Sequence, residues 1–342
     1  MLRGRGFADP RAAAANLELL TPTPRDAELL APAFGHLLAE LSASADPDMA
    51  LNNLERYAAV VDRSVFYRTL AEHPGAATLL AAIGGASQFL ADALRRRPST
   101  LAWLLEPRTM RVWLPEDIAA DLEASLGPFT TRESRMRALR RFKYRHLLRI
   151  GARDLLGDAD LTATTEDLAR LADACIAAAW RDAERAARAQ YGAPLGRDGD
   201  ETGMAVIGMG KLGGSELNYS SDIDLMFVYG EDGETSGGTE GQIPTGDYFT
   251  RVCRDLVAML EEVTDEGYAF RVDLRLRPEG RMGPVILSLD GYRTYYAERA
   301  ELWERQALLK ARISAGAAGV GARFMELARA VVYRPGVDER IV

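Results

Sequence analysis

From residue 12 to residue 190, apolar residues recur at helical spacing almost without a break. Segments such as DPDMALNNLERYAAVV and TTEDLARLADACIAAAWRDAERAARAQ follow Asp or Thr caps, and Ala and Arg are abundant where β-branched runs are scarce. This stretch reads as a helical bundle or array. The period stops at Tyr191–Gly203, where Gly, Pro and charge mark a linker or surface loop. Strand signals follow in MAVIGM, DIDLMFVY and YAFRVDLRLR, with a helix expected between the last two over Asp247–Val263. A helical period then returns in YRTYYAERAELWERQALLKARI. It sets Tyr292, Tyr296, Trp303, Ala307 and Ala311 close to one face, expected to be core. The order helical, α+β, helical predicts an α+β chain divided as 1–195, 196–290 and 291–342.

Other features change this picture only locally. Gly230–Gly246 is glycine-rich and acidic without a hydrophobic period, as expected of a lid, a partner loop or, most simply, a disordered segment. No apolar run nears the roughly 18 residues of a membrane span, and the basic start MLRGRGFADP lacks an apolar signal core. The two cysteines, Cys175 and Cys253, fit neither a disulfide framework nor a metal spacing. These features predict a cytoplasmic protein without a membrane role. A net charge of −8 argues against general nucleic-acid coating. Arg132–Arg153 does hold nine Lys or Arg against one Glu. That segment could meet nucleic acid or an acidic partner, but its apolar positions favour a solvated basic face on a packed helix. His36, His73 and His146 show no metal or triad spacing, and Lys211 and Lys310 read as surface lysines. The sequence ends PGVDERIV without a closing signal, as a piece of a longer protein would.

The candidate chemistry lies in AVIGMGKLGGSELNYSSDIDLMFVY, residues 205–229. Its first half has the G-x-G-x-x-G spacing of a dinucleotide turn, and Glu231 lies near the usual place for a ribose-binding acid. Length decides against that reading. Only Gly214–Ser221 separates the turn from the next strand, and eight helical residues reach about 12 Å, too short for a crossover over a sheet. The second half suits another chemistry. On a strand, Asp222 and Asp224 share a face, about 7 Å apart, while Ile223 and Leu225 face the core. Two such carboxylates suit a hard cation such as Mg²⁺, and Asp273 in FRVDLRL supplies a third. Alternation would place Arg271, Asp273, Arg275 and Arg277 on one polar face. Two cations bridged by these carboxylates would clamp the phosphates of a nucleotide.

Gly213, Gly214 and Ser215 would then form a turn near the N-terminus of a short helix, its N–H groups close to phosphate. Charge agrees. Leu212–Thr250 contains eight Asp or Glu and no Lys or Arg, and Arg251, Arg254, Arg271, Arg275 and Arg277 follow as candidate phosphate contacts. The other Asp-x-Asp copies, at Asp46 and Asp158, precede helical patterns and read as caps.

The blocks GMGKLGGSELNYSSDIDLMFVY, YAFRVDLRLRPEGRMGP and YYAERAELWERQALLKAR closely resemble the glutamine synthetase adenylyltransferase/adenylyl-removing enzyme family. ALNNLERY, RRRPSTLAWLL and LLRIGARDLLGDADL extend the resemblance over nearly the whole chain. It implies a nucleotidyltransferase core of the DNA polymerase β type with a mixed sheet, here at 196–290, flanked by helical regions. Members carry two catalytic modules. One removes AMP from a tyrosine of glutamine synthetase by phosphorolysis, releasing ADP; the other adds AMP from ATP; the signalling protein PII and glutamine set the balance. RPEGRMGPVI and the long helical lead resemble the AMP-removing module, with the AMP-adding module or a catalytically silent one as alternatives. By the same resemblance Asp222, Asp224 and Asp273 are the expected catalytic metal ligands, for a pair of Mg²⁺ ions, and Gly213, Gly214 and Ser215 the phosphate-side turn. Arg275 and Arg277 complete the expected phosphate contacts.

Overall fold

A computed structural model describes residues 2–333, so the PGVDERIV end lies outside the described residues. The chain is mixed α+β with a helical majority. Its residues group into two units: those up to Trp113 with Tyr144–Thr164, and Leu114–Lys143 with those from Thr165 on. Among the described residues no helix is long and apolar enough to cross a membrane.

The first unit is built from short helices whose starts are written locally. Asp9, Thr23, Asp46, Asp62 and Ser87 each accept a backbone N–H at an N-cap, and proline opens the helices Pro10–Leu20, Pro24–Ala43 and Pro47–Ala58. Helix Pro74–Ala86 carries Gly84 and Gly85, where a side-chain carbon would press on Ala50 and Ser44 of the segments packed beside it. The unit also contains His146, buried at 5.4 and 5.0 Å from the rings of Trp103 and Trp113.

The second unit holds a mixed sheet. Strands β1 (Met204–Gly208) and β2 (Ile223–Tyr229) pair antiparallel, Met204 opposite Tyr229 and Gly208 opposite Leu225. This pairing removes the dinucleotide reading, which needs a parallel crossover. Strands β3 (Val272–Asp273) and β4 (Ile286–Ser288) pair in turn along the other edge of β2, both parallel to it. The helix Thr245–Glu261, close to the expected span, connects β2 to β3. β5 (Arg312–Gly316) pairs antiparallel with β1. Ala205, Ile207, Met226 and Val228 pack with Tyr292, Tyr296 and Phe324 into one apolar cluster.

The strand expected over YAFRVDLRLR is only Val272–Asp273 long, because the chain turns directly after Asp273. The expected polar face of alternating arginines therefore does not form. The helix expected over YRTYYAERAELWERQALLKARI breaks into Leu289–Glu298, Leu302–Ala307 and a 3₁₀ turn, and RISAG becomes β5. Glu304 caps the second helix by accepting the Glu301 N–H. Tyr292 and Tyr296 are core as expected, whereas Trp303 is 47% exposed.

The glycine-rich segment 230–246 is not a free loop. Ser236 and Gly237 N–H groups donate to Ala193 and Tyr191 carbonyls, and Thr235 donates to Ile243. Gly192, Gly233 and Gly238 lie against main chain where any side chain would collide, so the glycines serve packing between two backbone segments. The basic helix Arg132–Leu155 is a solvated basic face only in part: Arg132, Arg137 and Arg141 have side chains open to solvent and pair with Asp255, Asp265 and Glu266, but most of its other basic side chains turn inward. Arg140, Lys143, His146, Arg149 and Arg153 are buried. Arg140 donates to the carbonyls of Met136, Met259, Glu262 and Gly267, which explains how a charge sits inside.

Candidate functional site

Strand pairing brings two of the predicted carboxylates together. Asp224 on β2 is the register partner of Asp273 on β3, and Asp222 precedes β2 by one residue. Ile223 and Leu225 are buried while Asp224 is half-buried and Asp222 exposed, as strand alternation requires. The Ile223 N–H donates to the Arg271 carbonyl and the Met209 N–H to the Asp224 carbonyl, fixing this edge from both sides.

The three carboxylates differ electrostatically. Burial, then the negative charges of Asp273 and Asp222, raise the Asp224 pKa to about 6. Arg275 and Lys211 oppose that rise. Asp273 is held below the usual carboxylate range, first by the Arg275 side chain, with Nε 2.7 Å from Oδ2, and also by the Arg275 N–H at 2.8 Å from Oδ1. Asp222 pairs with Arg271 Nε at 2.5 Å. Oxygen donors repelling one another in a partly desolvated place are a donor set that suits a hard divalent cation. Yet among the described residues no three His, Cys, Asp or Glu side chains already gather as a metal-holding group. Each outer carboxylate is instead paired with an arginine, Asp222 with Arg271 and Asp273 with Arg275.

The glycine turn sits differently from expectation. Gly213 and Gly214 end the one-turn helix Gly210–Gly213 rather than begin one, and Ser215 follows in the left-handed region at φ 56°. Gly213 faces the Lys310 carbonyl, so its missing side chain is needed for packing. The glycine that approaches the acidic site is Gly210. At φ 52°, a side-chain carbon there would lie 2.5 Å from Asp224 Oδ2. The G-x-G-x-x-G spacing includes this position, but the close approach was expected at Gly213 and Gly214.

The expected phosphate contacts divide. Arg275 is exposed and bound to Asp273. Arg277 is buried and donates to the carbonyls of Leu274, Arg281, Gly283 and Pro284. The structure therefore brings Arg277 to its own loop and not to the carboxylates. Arg251 lies 5.1 Å over the Tyr191 ring, against the linker. Lys310 pairs with Glu216, and Arg312 on β5 holds the Leu212 carbonyl at 3.0 Å and Asp173 at 2.7 Å. Sequence reasoning missed Arg281, whose charge also favours ionised Asp273. Its local signal is a Gly-Arg-Met-Gly tip between two prolines.

Fold and site together define a mixed α+β protein with an acidic strand edge approached by a glycine turn. The family model for glutamate-ammonia ligase adenylyltransferase matches residues 77–327. Bifunctional glutamine synthetase adenylyltransferase/adenylyl-removing enzymes from Nitrosococcus oceani and Pseudomonas aeruginosa are each 40% identical, over 76% and 75% of this chain. The corresponding enzyme of Burkholderia pseudomallei is 39% identical over 74% of the chain. The alignments cover 27%, 26% and 28% of those relatives, so the chain spans about a quarter of their length. The chain belongs to the glutamate-ammonia ligase adenylyltransferase family.

Proposed function

We propose that residues 196–290 form a nucleotidyltransferase core of the DNA polymerase β type, between helical regions 1–195 and 291–342. Its reaction is phosphorolytic removal of AMP from a tyrosine of adenylylated glutamine synthetase. The observation that carries the reading is the pairing of Asp224 with Asp273 across β2 and β3, with Asp222 alongside and Gly210 pressed on Asp224. The relatives' printed names supply glutamine synthetase as the protein substrate. RPEGRMGPVI and the helical lead favour removal over addition. A cytoplasmic setting and control by PII belong to the same reading.

Asp222, Asp224 and Asp273 would hold Mg²⁺, which supplies positive charge to the phosphoryl oxygens and the departing phenolate. The carboxylates fix where that charge sits. Gly210 leaves Asp224 room beside the main chain, and Arg271 and Arg275 balance the outer carboxylates. An oxygen of inorganic phosphate attacks the adenylyl phosphorus, and the bond to the tyrosine oxygen breaks. The electron pair leaves on the phenolate, which takes a proton from water, and ADP is released. Phosphate arrives as an anion, so no general base is required.

The test is the choice of co-substrate. With phosphate and Mg²⁺ but no ATP, the chain should release ADP from adenylylated glutamine synthetase. With ATP and no phosphate, it should add little AMP to the unmodified enzyme. Robust addition would assign the AMP-adding reading instead, and absence of both reactions would leave a silent module.

A further inference from the structure

We propose that Arg281 and Lys211 receive the oxygens of a phosphate anion beside Asp224 and Asp273, and that the loop 278–283 is built to present Arg281. This rests on the nucleotidyltransferase reading above. Four cations stand near the carboxylates, and two of them are committed: Arg271 to Asp222 and Arg275 to Asp273. Lys211 and Arg281 are exposed, and among the described residues neither makes an ion pair. Lys211 adjoins Gly210, whose main chain lies against Asp224, and Arg277 ties the Arg281 carbonyl to that of Leu274, the residue after Asp273; the charges of Lys211 and Arg281 act on those two carboxylates in turn.

Each cation stands on a fixed backbone. Lys211 follows Gly210, the residue pressed on Asp224. Its one-turn helix is held by the Met209 N–H on the Asp224 carbonyl and by Arg312 on the Leu212 carbonyl. Arg281 stands on a loop that Arg277 gathers from inside through four carbonyls, that of Arg281 among them. The loop is also strained. Glu279 has φ 58° without being glycine, and its N–H donates to the Tyr295 hydroxyl and to buried Glu304. Gly283 lies against the Pro278 carbonyl, leaving no room for a side chain. Strained backbone of this kind persists only where surrounding contacts over-determine it, and such places cluster at ligand sites. Here the effect is to project Arg281 and Met282 outward, Met282 being 90% exposed.

The chemistry requires such a pair. A phosphate nucleophile must approach an anionic diester beside three carboxylates, and guanidinium and ammonium groups without carboxylate partners can meet it. Arg277 would be a positioning residue, acting through the loop.

Equilibrium dialysis of the intact chain with Mg²⁺ tests this, with radiolabelled inorganic phosphate in one arm and AMP in the other. Arg281→Ala and Lys211→Ala should each raise the half-saturating concentration at least about tenfold in one arm or both, as loss of a charged hydrogen bond implies. A shift confined to phosphate identifies the nucleophile as the ligand, and one confined to AMP identifies the nucleotide. Arg281→Lys should recover part of the loss. Arg277→Ala should weaken the same ligand, but add nothing to the binding loss of Arg281→Ala, whereas a purely structural role would add to it. Unchanged binding of both ligands by Arg281→Ala and Lys211→Ala would overturn the proposal while leaving the proposed reaction standing. A wild-type chain that bound neither ligand would overturn both.

Discussion

Arg140 and Arg275 both belong to the second unit, yet their guanidinium groups meet different partners. Arg140 is fully buried and donates to main-chain carbonyls at four places along the chain. Arg275 is exposed and lies on the carboxylate of Asp273, two residues away. Arg277, only two residues further, follows the Arg140 pattern. Carbonyl partners mark arginines that organise backbone, and carboxylate partners at an exposed edge mark arginines that tune charge. The distinction does not follow sequence distance, since one short segment contains both kinds.

The comparison predicts graded effects. The largest is for Arg140→Ala, which leaves several buried carbonyls without their donor and should cost about 3–5 kcal/mol, measured by urea unfolding. A loss too small to resolve would mean the carbonyls find other partners and that burial does not separate the two classes. Next is Asp224→Asn. It removes a charge that burial and like-charged neighbours disfavour, so thermal stability should hold or rise. ADP release should nonetheless fall at least about a hundredfold. Near-normal turnover would remove Asp224 from the proposed chemistry. The smallest effect is expected for Arg271→Ala and Arg275→Ala, which should leave the melting temperature unchanged because exposed pairs contribute little to stability. A clear drop in melting temperature would place them with Arg140.

What the sequence revealed depended on how local each cause is. The cap Asp46 acts within three residues and was legible as a helix start. Ile223, Asp224 and Leu225 could be assigned to faces because alternation is a property of one strand. The two-residue length of β3 could not be read, since Arg277 draws the chain into a turn through carbonyls as far away as Pro284. Arg140 was also obscured, because three of the four carbonyls that accept from it lie more than a hundred residues further on. The glycine spacing was visible, but which glycine touches Asp224 depends on the backbone angle at Gly210 and on the Lys310 carbonyl beside Gly213.

β5 bears on how the protein emerges during synthesis. β1 can meet β2 soon after both leave the ribosome, but its opposite edge waits for Arg312–Gly316. That is about eighty residues of further translation, or on the order of 4–16 seconds at ordinary elongation rates. During this interval the apolar face of β1 lacks both its edge partner and Phe324. An unpaired strand edge of that kind invites wrong pairing with other chains. The nascent chain should therefore be most dependent on chaperones after β2 has formed and before β5 arrives.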